Sequence, residues 1–403
     1  MAVFITDGNH RATLAVVRSL GRAGIPVTVG EERQPCLAGA SRFCARTVCY
    51  PSPTRDAAHF QEFIAGELHT GGYRVLLPMT DVTTQLLVQL RPHLPPSLSL
   101  PIPDAAAIAL AQDKREMLLC ARRLGIGYPA TFMLEPEEDL AEVARKVRYP
   151  VVIKPRLSHY FHDGRWFSGT VQYAADPVEL REKYGASHAQ IPRPLVQEKI
   201  EGEGRGVFLL VWRRELKSAF CHRRLREKPP WGGVSVYRES VPLDEALVQQ
   251  SLRLLREISW EGVAMVEFKI DRDDGQAKLM EVNGRFWGSL QLAMDAGMDF
   301  PLTLYRLATG EELPPNLDYR PYVKSRWLLG DFDHLLLRLR HPEERNGLLR
   351  SRLHACREFC AFSEPDVHYE ILTSEDPGPG LQELKDYVRD VWRSAMRRKE
   401  NKA

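Results

Sequence analysis

Apolar and polar residues change rhythm along this chain, and each rhythm predicts an element. The opening AVFITDG is a short apolar run ending in a turn, the pattern of a buried strand. HRATLAVVRSLGRAG follows with apolar positions three and four apart and closes at Gly24, which predicts an amphipathic helix. IPVTVG is a second strand, and strand–helix–strand in this order predicts a parallel sheet. YRVLLPMTD repeats the theme, its strand running out at Thr80 and Asp81 before the helical VTTQLLVQLRPHL. Ligands of open parallel sheets sit at the carboxyl ends of strands, so Asp7, Gly8, Thr80 and Asp81 are expected to line a crevice. The proline-rich PHLPPSLSLPIPD, residues 92–104, reads as a boundary or an edge segment.

Beyond it the rhythm changes. AIALAQDKREMLLCARRLGIG predicts one helix ending at Gly125, and YPVVIKPRL a β-branched strand running into Lys154. HYFHDGRWFSGTVQYA reads as a hairpin turning at Asp163-Gly164. RPLVQEKIEGEGRGVFLLVWRREL holds two strands joined by a polar, glycine-containing link. A helix is expected from about Leu243 to Ser259, then the hairpin GVAMVEFKIDRDDGQAKLMEVNGRF. Past Gly310 the pattern thins to one amphipathic helix, DFDHLLLRLRH, and a solvated basic tail, RRKENKA. No repeat of solenoid period is present.

The last hairpin carries candidate chemistry. Side chains alternate along a strand, so Glu281, Asn283 and Arg285 share one face while Met280 and Val282 share the other and are expected to anchor it in the core. A hairpin folded at Asp274 sets Glu267 opposite Glu281. Like charges directly opposite are unfavourable. Two carboxylates and an amide oxygen at one spot suit a hard divalent cation, which removes the repulsion and shares its remaining positions with phosphates. The alternative is a solvated hairpin face with an incidental glutamate pair.

Composition narrows the class. At 403 residues the chain is long enough for two or three domains, and 44% hydrophobic with 27% charged residues is ordinary for a soluble globular protein. A net charge of +2 exerts no global pull toward nucleic acid or membrane. MAVFITDGNH meets an acid and a turn too early for a signal peptide, and no apolar run is long enough for a spanning helix. Seven scattered cysteines with no C-x-x-C pair read as reduced, cytoplasmic thiols. Gly8 lacks the further glycines of a dinucleotide fingerprint, so a nicotinamide-dependent oxidoreductase is disfavoured.

Five features recur in a telling order: Lys114 in AQDKREM, Lys154 in YPVVIKP, the link QEKIEGEG, Glu267 in VEFKID, and EVNGR. Together they resemble the ATP-grasp superfamily, in particular the branch with carbamoyl-phosphate synthase, biotin carboxylase and carboxylate–amine ligases, over about residues 1 to 310. The resemblance implies an α/β, Rossmann-like pre-ATP-grasp domain (1–110), a two-subdomain α+β ATP-grasp fold (111–312, its nucleotide-covering subdomain about 120–196) and a C-terminal α/β extension (313–403). It implies ATP held by Lys114 and Lys154 at the α- and β-phosphates, with the backbone of Glu198, Lys199 and Ile200 along the adenine. Glu203 would hold the ribose, a role Glu198 or Glu201 could take instead. Glu267, Glu281 and Asn283 correspond to Mg²⁺ (or Mn²⁺) ligands, and Arg285 to the arginine that steadies the transferred phosphoryl group. HRRLRE would bring Arg224 and Arg226 to phosphate and acceptor, with His222 on their face, and PPWGGVS would form a flap over them. His159 and His162, on the hairpin, read as surface residues. Relatives often carry proline where this chain has Gly284, which implies a softer turn.

What the resemblance implies is an ATP-dependent ligase that converts a carboxylate to an acyl phosphate for attack by an amine or other nucleophile. The alternatives are bicarbonate as phosphoryl acceptor, or a catalytically silent nucleotide-binding partner protein. Small-molecule carboxylate and amine substrates, and a homodimer, complete the expectation.

Overall fold

The computed structural model describes residues 2–134, 140–341, 348–362 and 364–400. The first sheet takes strands β1 (Ala2–Ile5), β2 (Val27–Glu31), β3 (Arg46–Cys49) and β4 (Tyr73–Leu77), with helices α1 (Arg11–Arg22), α2 (Ala57–Thr70) and α3 (Asp81–Gln89) between or after them. Its order is β3-β2-β1-β4 and every pair is parallel, as strand–helix–strand connections require. Val3, Phe4 and Ile5 are fully buried. The expected crevice at the strand ends is largely filled by its own residues. The Asp7 carboxylate accepts from the Thr6 and Thr83 hydroxyls and the Met79 N–H, and Thr80 caps α3. That leaves Asp81, in the first turn of α3, to reach outward.

The single helix expected around Lys114 is two, α4 (Ala105–Gln112) and α5 (Lys114–Arg123). Asp113 between them is extended (φ −88°, ψ 104°), and its carboxylate accepts from the N–H groups of Arg115 and Glu116. A capping aspartate satisfies donors that a new helix would otherwise leave bare, so the chain restarts there. Lys114 thereby becomes the first residue of α5.

A second, antiparallel sheet has the order β5-β10-β6-β9, from β5 (Thr131–Met133), β6 (Val151–Lys154), β9 (Gln172–Ala174) and β10 (Leu195–Glu198). Helices α6 (Leu140–Lys146) and α7 (Pro177–Gln190) accompany it, and β7 (His159–His162) and β8 (Arg165–Ser168) form the expected hairpin. Asp163 and Gly164 at its tip both have positive φ, as a two-residue turn of right-handed twist demands.

The third sheet has seven strands in the order β15-β14-β11-β12-β13-β16-β17. These are β11 (Gly202–Trp212), β12 (Glu215–Lys228), β13 (Val234–Ser240), β14 (Gly262–Asp271), β15 (Ala277–Asn283), β16 (Lys324–Arg326) and β17 (Val367–Tyr369). The helices are α8 (Glu245–Glu257), α9 (Leu290–Asp295), α10 (Phe300–Ala308), α11 (Leu328–Arg340), α12 (Leu348–Phe359) and α13 (Gly378–Glu400). Residues beyond 312 are thus woven into this sheet through β16 and β17. Alternate residues of β11 and β14 feed two cores. Val207, Leu209, Val266 and Phe268 join Leu252 and Leu255 of α8, while Phe208, Leu210 and Met265 join Trp287, α1 and the first sheet. The second of these cores ties the first sheet to the third. No helix among the described residues is long and apolar enough to cross a membrane.

Candidate active site

Glu267 on β14 stands directly opposite Glu281 on β15, the register expected from a turn at Asp274. One residue further the pairing slips, Phe268 facing Leu279, so Met280 is an extra residue on β15. This bulge corrects the expected anchor. Leu279 and Val282 are the core residues, and Met280 instead lines a recess beside Glu281. Asn283 donates through its amide to Glu281 (3.0 Å) and Glu267 (3.4 Å). Behind it a Cβ on Gly284 would stand 2.2 Å from the Trp260 ring, so the indole occupies the room a proline would need.

Cations from four separate elements close on these acids. Lys114 Nζ lies 4.0 Å from Glu281 and donates to Ser158 Oγ (2.9 Å). Lys154 ends β6 facing the same carboxylates, and enclosure among protein atoms lowers its ammonium to about 8 even though Glu281 favours the charge. Arg224 of β12 pairs with Glu267 and donates to Glu227 (3.0 Å). Arg285 pairs with Asp81 across 204 residues of sequence (3.1 Å) and donates to Asn283 Oδ1 (3.4 Å). A small recess beside Lys114 is lined by Asp81, Lys114, Ser158, His159, Glu281 and Asn283 among others.

The electrostatics fit a divalent cation. Burial pushes the Glu267 carboxyl up to about 7, against the pull of Arg224 and with repulsion from Glu281. Glu281 is held below the usual carboxylate range; burial opposes this, but Lys114, the Asn283 amide and Lys154 outweigh it. Two facing carboxylates and an amide, with no third acid completing a cage among the described residues, suit Mg²⁺ that takes its other ligands from phosphate and water. The Lys154 value carries a pH prediction. Phosphate needs the ammonium, so nucleotide affinity should weaken as pH rises through about 8, approaching tenfold per unit. Lys154→Arg, which stays charged, should remove that slope in calorimetric titrations taken on both sides of the transition.

Several expected residues lie elsewhere. Arg226 does not continue the face of Arg224, because Leu225 between them is a bulge. Its guanidinium instead grips Asp331 of α11 with two bonds of 2.7 Å and stacks on Tyr237 at 4.4 Å. Asp331 also holds Arg326, so this is a buried structural cluster. Arg226→Gln should therefore lower unfolding free energy by about 2 kcal/mol, seen as a lower melting temperature, with kcat unchanged. His222 is fully enclosed against Phe208. Glu203 also misses the recess. Gly206 pairs with Glu267, so Gly202, Gly204 and Gly206 occupy the site face of β11, and Glu203 turns away to Arg205 (2.5 Å) and Arg223 (3.4 Å). Glu198 spends its carboxylate on the Ala130 N–H (2.7 Å), Lys199 pairs with Glu201, and the Ile200 carbonyl accepts from Lys269 (2.9 Å). These three residues form the passage from β10 to β11.

Other residues join the site without having been expected there. The Arg224 stem lies across Gly204, where a Cβ would stand 3.0 Å from its Cδ; the alternation of glycines in GEGRG is the signal for that close approach. Ser158 and Glu227 become neighbours of the acids only through folding. His159, expected at the surface, lines the recess, and burial lowers its pKa. His162 is exposed and sits beside Asp163.

Facing acids on a large sheet stand against lysines from a small antiparallel sheet and a helix N-terminus, a charge pattern that suits a polyphosphate together with a divalent cation. Residues 190–328 match the family described as ATP-grasp in the biosynthetic pathway with Ter operon. The chain is 26% identical over 187 residues to a formate-dependent phosphoribosylglycinamide formyltransferase of Bacteroides thetaiotaomicron, covering 43% of this chain and 45% of that protein. It thus spans less than half the length of that relative. In fold it is similar to the biotin carboxylase domain of Hydrogenobacter thermophilus 2-oxoglutarate carboxylase, solved with MgADP, ADP and bicarbonate (TM-score 0.64, 15% identity, 80% of this chain, 73% of that one). It is similar likewise to an L-amino acid ligase from Bacillus licheniformis (TM-score 0.59, 15% identity, 77% and 74%). Over residues 190–328, then, the chain matches an ATP-grasp family, and the solved structures share its fold.

Proposed function

We propose that this protein is an ATP-dependent ligase. A carboxylate substrate takes the γ-phosphoryl group of ATP, leaving ADP, and the resulting acyl phosphate is attacked by an amine. Phosphate is expelled and an amide remains. The observation that carries this reading is the gathering of Asn283, Arg285, Lys114 and Lys154 around the facing pair Glu267 and Glu281. Relatives bearing the names formyltransferase and L-amino acid ligase support it.

The residues divide the work by charge and reach. Lys114 and Lys154 are point charges for the nucleotide phosphates. Glu267, Glu281 and Asn283 would hold Mg²⁺, which when bound neutralises the polyphosphate and offsets the repulsion between the two acids. Arg285, held by Asp81, would bring its positive charge to the oxygens of the group in transfer, where positioning and charge neutralisation supply most of the catalysis. Arg224 keeps the acid pair neutralised at the acceptor side. The loop of residues 229–233 touches the small sheet through Tyr173, whose hydroxyl donates to the Trp231 carbonyl (3.3 Å), and would exclude water from the acyl phosphate. We place domain limits near residues 110 and 312, the adenine edge at Glu198–Ile200, and the acceptor in the cleft where His10 and Arg11 face α11 and α13.

The test is ATP consumption with pooled carboxylates and amines, reading ADP, phosphate and the new amide by mass. Stoichiometric ADP, phosphate and amide are expected. Phosphate release that requires bicarbonate alone would replace this reading with carboxyphosphate chemistry, and nucleotide binding without ADP formation under any pool would defeat both.

A further inference from the structure

The last helix is inside out. On α13 the side chains turned toward the protein are polar. Gln382 is buried and donates to Asp386 (3.0 Å), Glu383 accepts from the Trp327 indole (2.6 Å), and Tyr387 donates to Asp333 (2.6 Å). The outward side is apolar: Leu381, Leu384, Val388, Val391, Trp392 and Met396 are 43–63% exposed. A helix that only covered its own protein would carry the opposite arrangement. The first four of these residues are spaced three, four and three apart, the alternation that lets two helices interlock side chains along a seam.

We propose that α13 is a dimerisation element whose apolar seam packs antiparallel against α13 of a second copy of this chain. The seam is self-complementary about its centre. Turned end for end about Val388, Val388 meets Val388, Leu384 meets Trp392, and Leu381 reaches the Met396 end, as a two-fold interface requires. Lys385, flanking the seam, then faces Trp392 of the other copy, a cation over an indole, and no like charges oppose one another along the seam. Six half-exposed side chains, one of them tryptophan, present roughly 600 Å² per copy, so about 1,200 Å² in the pair, the lower bound for a specific interface. The dimer is therefore expected to dissociate on dilution. It bears on the open cleft as well, since Asp386, Tyr387 and Arg389 of the same helix line that cleft, and pairing would brace its wall. The proposal is independent of the ligase reading.

Sedimentation of the full chain across a wide concentration range tests it. A reversible monomer–dimer equilibrium is expected, and Leu384→Glu with Val388→Glu should raise the dimer dissociation constant at least about 100-fold. Melting of the monomer should be unchanged, because both positions are exposed in one copy. Val388→Cys, at the two-fold axis, should yield a cross-linked dimer under mild oxidation. A wild-type chain that stays monomeric throughout, or a dimer indifferent to the double substitution, would overturn the proposal; so would a monomer whose helix is covered by a different protein.

Discussion

Glu281→Gln is expected to stop ADP formation while the chain stays folded. Glutamine keeps the shape of the side chain and an oxygen for the Asn283 amide, which lies 3.0 Å away, but it removes the charge. Lys114, at 4.0 Å, and the enclosed Lys154 then face a neutral group, and the cation site is reduced to one carboxylate, Glu267, which is already paired with Arg224. Both changes act on groups that neutralise phosphoryl charge, so the loss in kcat should be about 10³-fold or more. Steady-state ADP release measures it, and Mg²⁺ titration of nucleotide binding should show weakened metal dependence. Wild-type turnover by this variant would remove the metal assignment altogether.

Arg285→Ala should cost about 10²–10³-fold in kcat with a smaller change in the KM for ATP, because its charge is proposed to act on the group in transfer. A second effect can be separated from the first. Removing Arg285 strips Asp81 of its partner inside the site, which should cost about 1–3 kcal/mol of stability. Asp81→Asn added to that background should recover the melting temperature and leave turnover lost. Recovery of turnover as well would mean that Arg285 acts only by neutralising Asp81. Arg285→Lys should rescue little, since an ammonium lacks the planar fork that Asp81 holds.

Local chemistry carried much of the reading. Two-residue alternation and turn residues at Asp274 were enough to bring Glu267 and Glu281 together on adjoining strands, but the register at the turn, Ile270 with Ala277, would set Glu267 beside Met280, and the bulge there is what places Glu281 opposite. The positive-φ tip at Asp163-Gly164 was legible from its own turn residues. The bulge at Met280 was not. It adds one residue to a strand so that Leu279 and Val282 can both enter the core, and that demand comes from the packing of α5 and α8. The break at Asp113 was legible in principle, since a capping residue precedes Lys114, but the apolar period continued on both sides and masked it.

By its pattern alone the sequence determined the order of most strands and helices and the two acids on adjoining strands, which depend on short spans of chain. Tertiary structure decided which cations actually serve the site. Arg224 and Arg226 are two residues apart and chemically alike, yet one meets Glu267 and the other Asp331, 105 residues away. Glu203 turned to the back of its sheet, and Asp81 crossed from the first sheet to hold Arg285. The physical reason is common to all three. A charged side chain goes to the partner that compensates its desolvation, and where that partner lies is set by how sheets and helices pack, which no local period encodes.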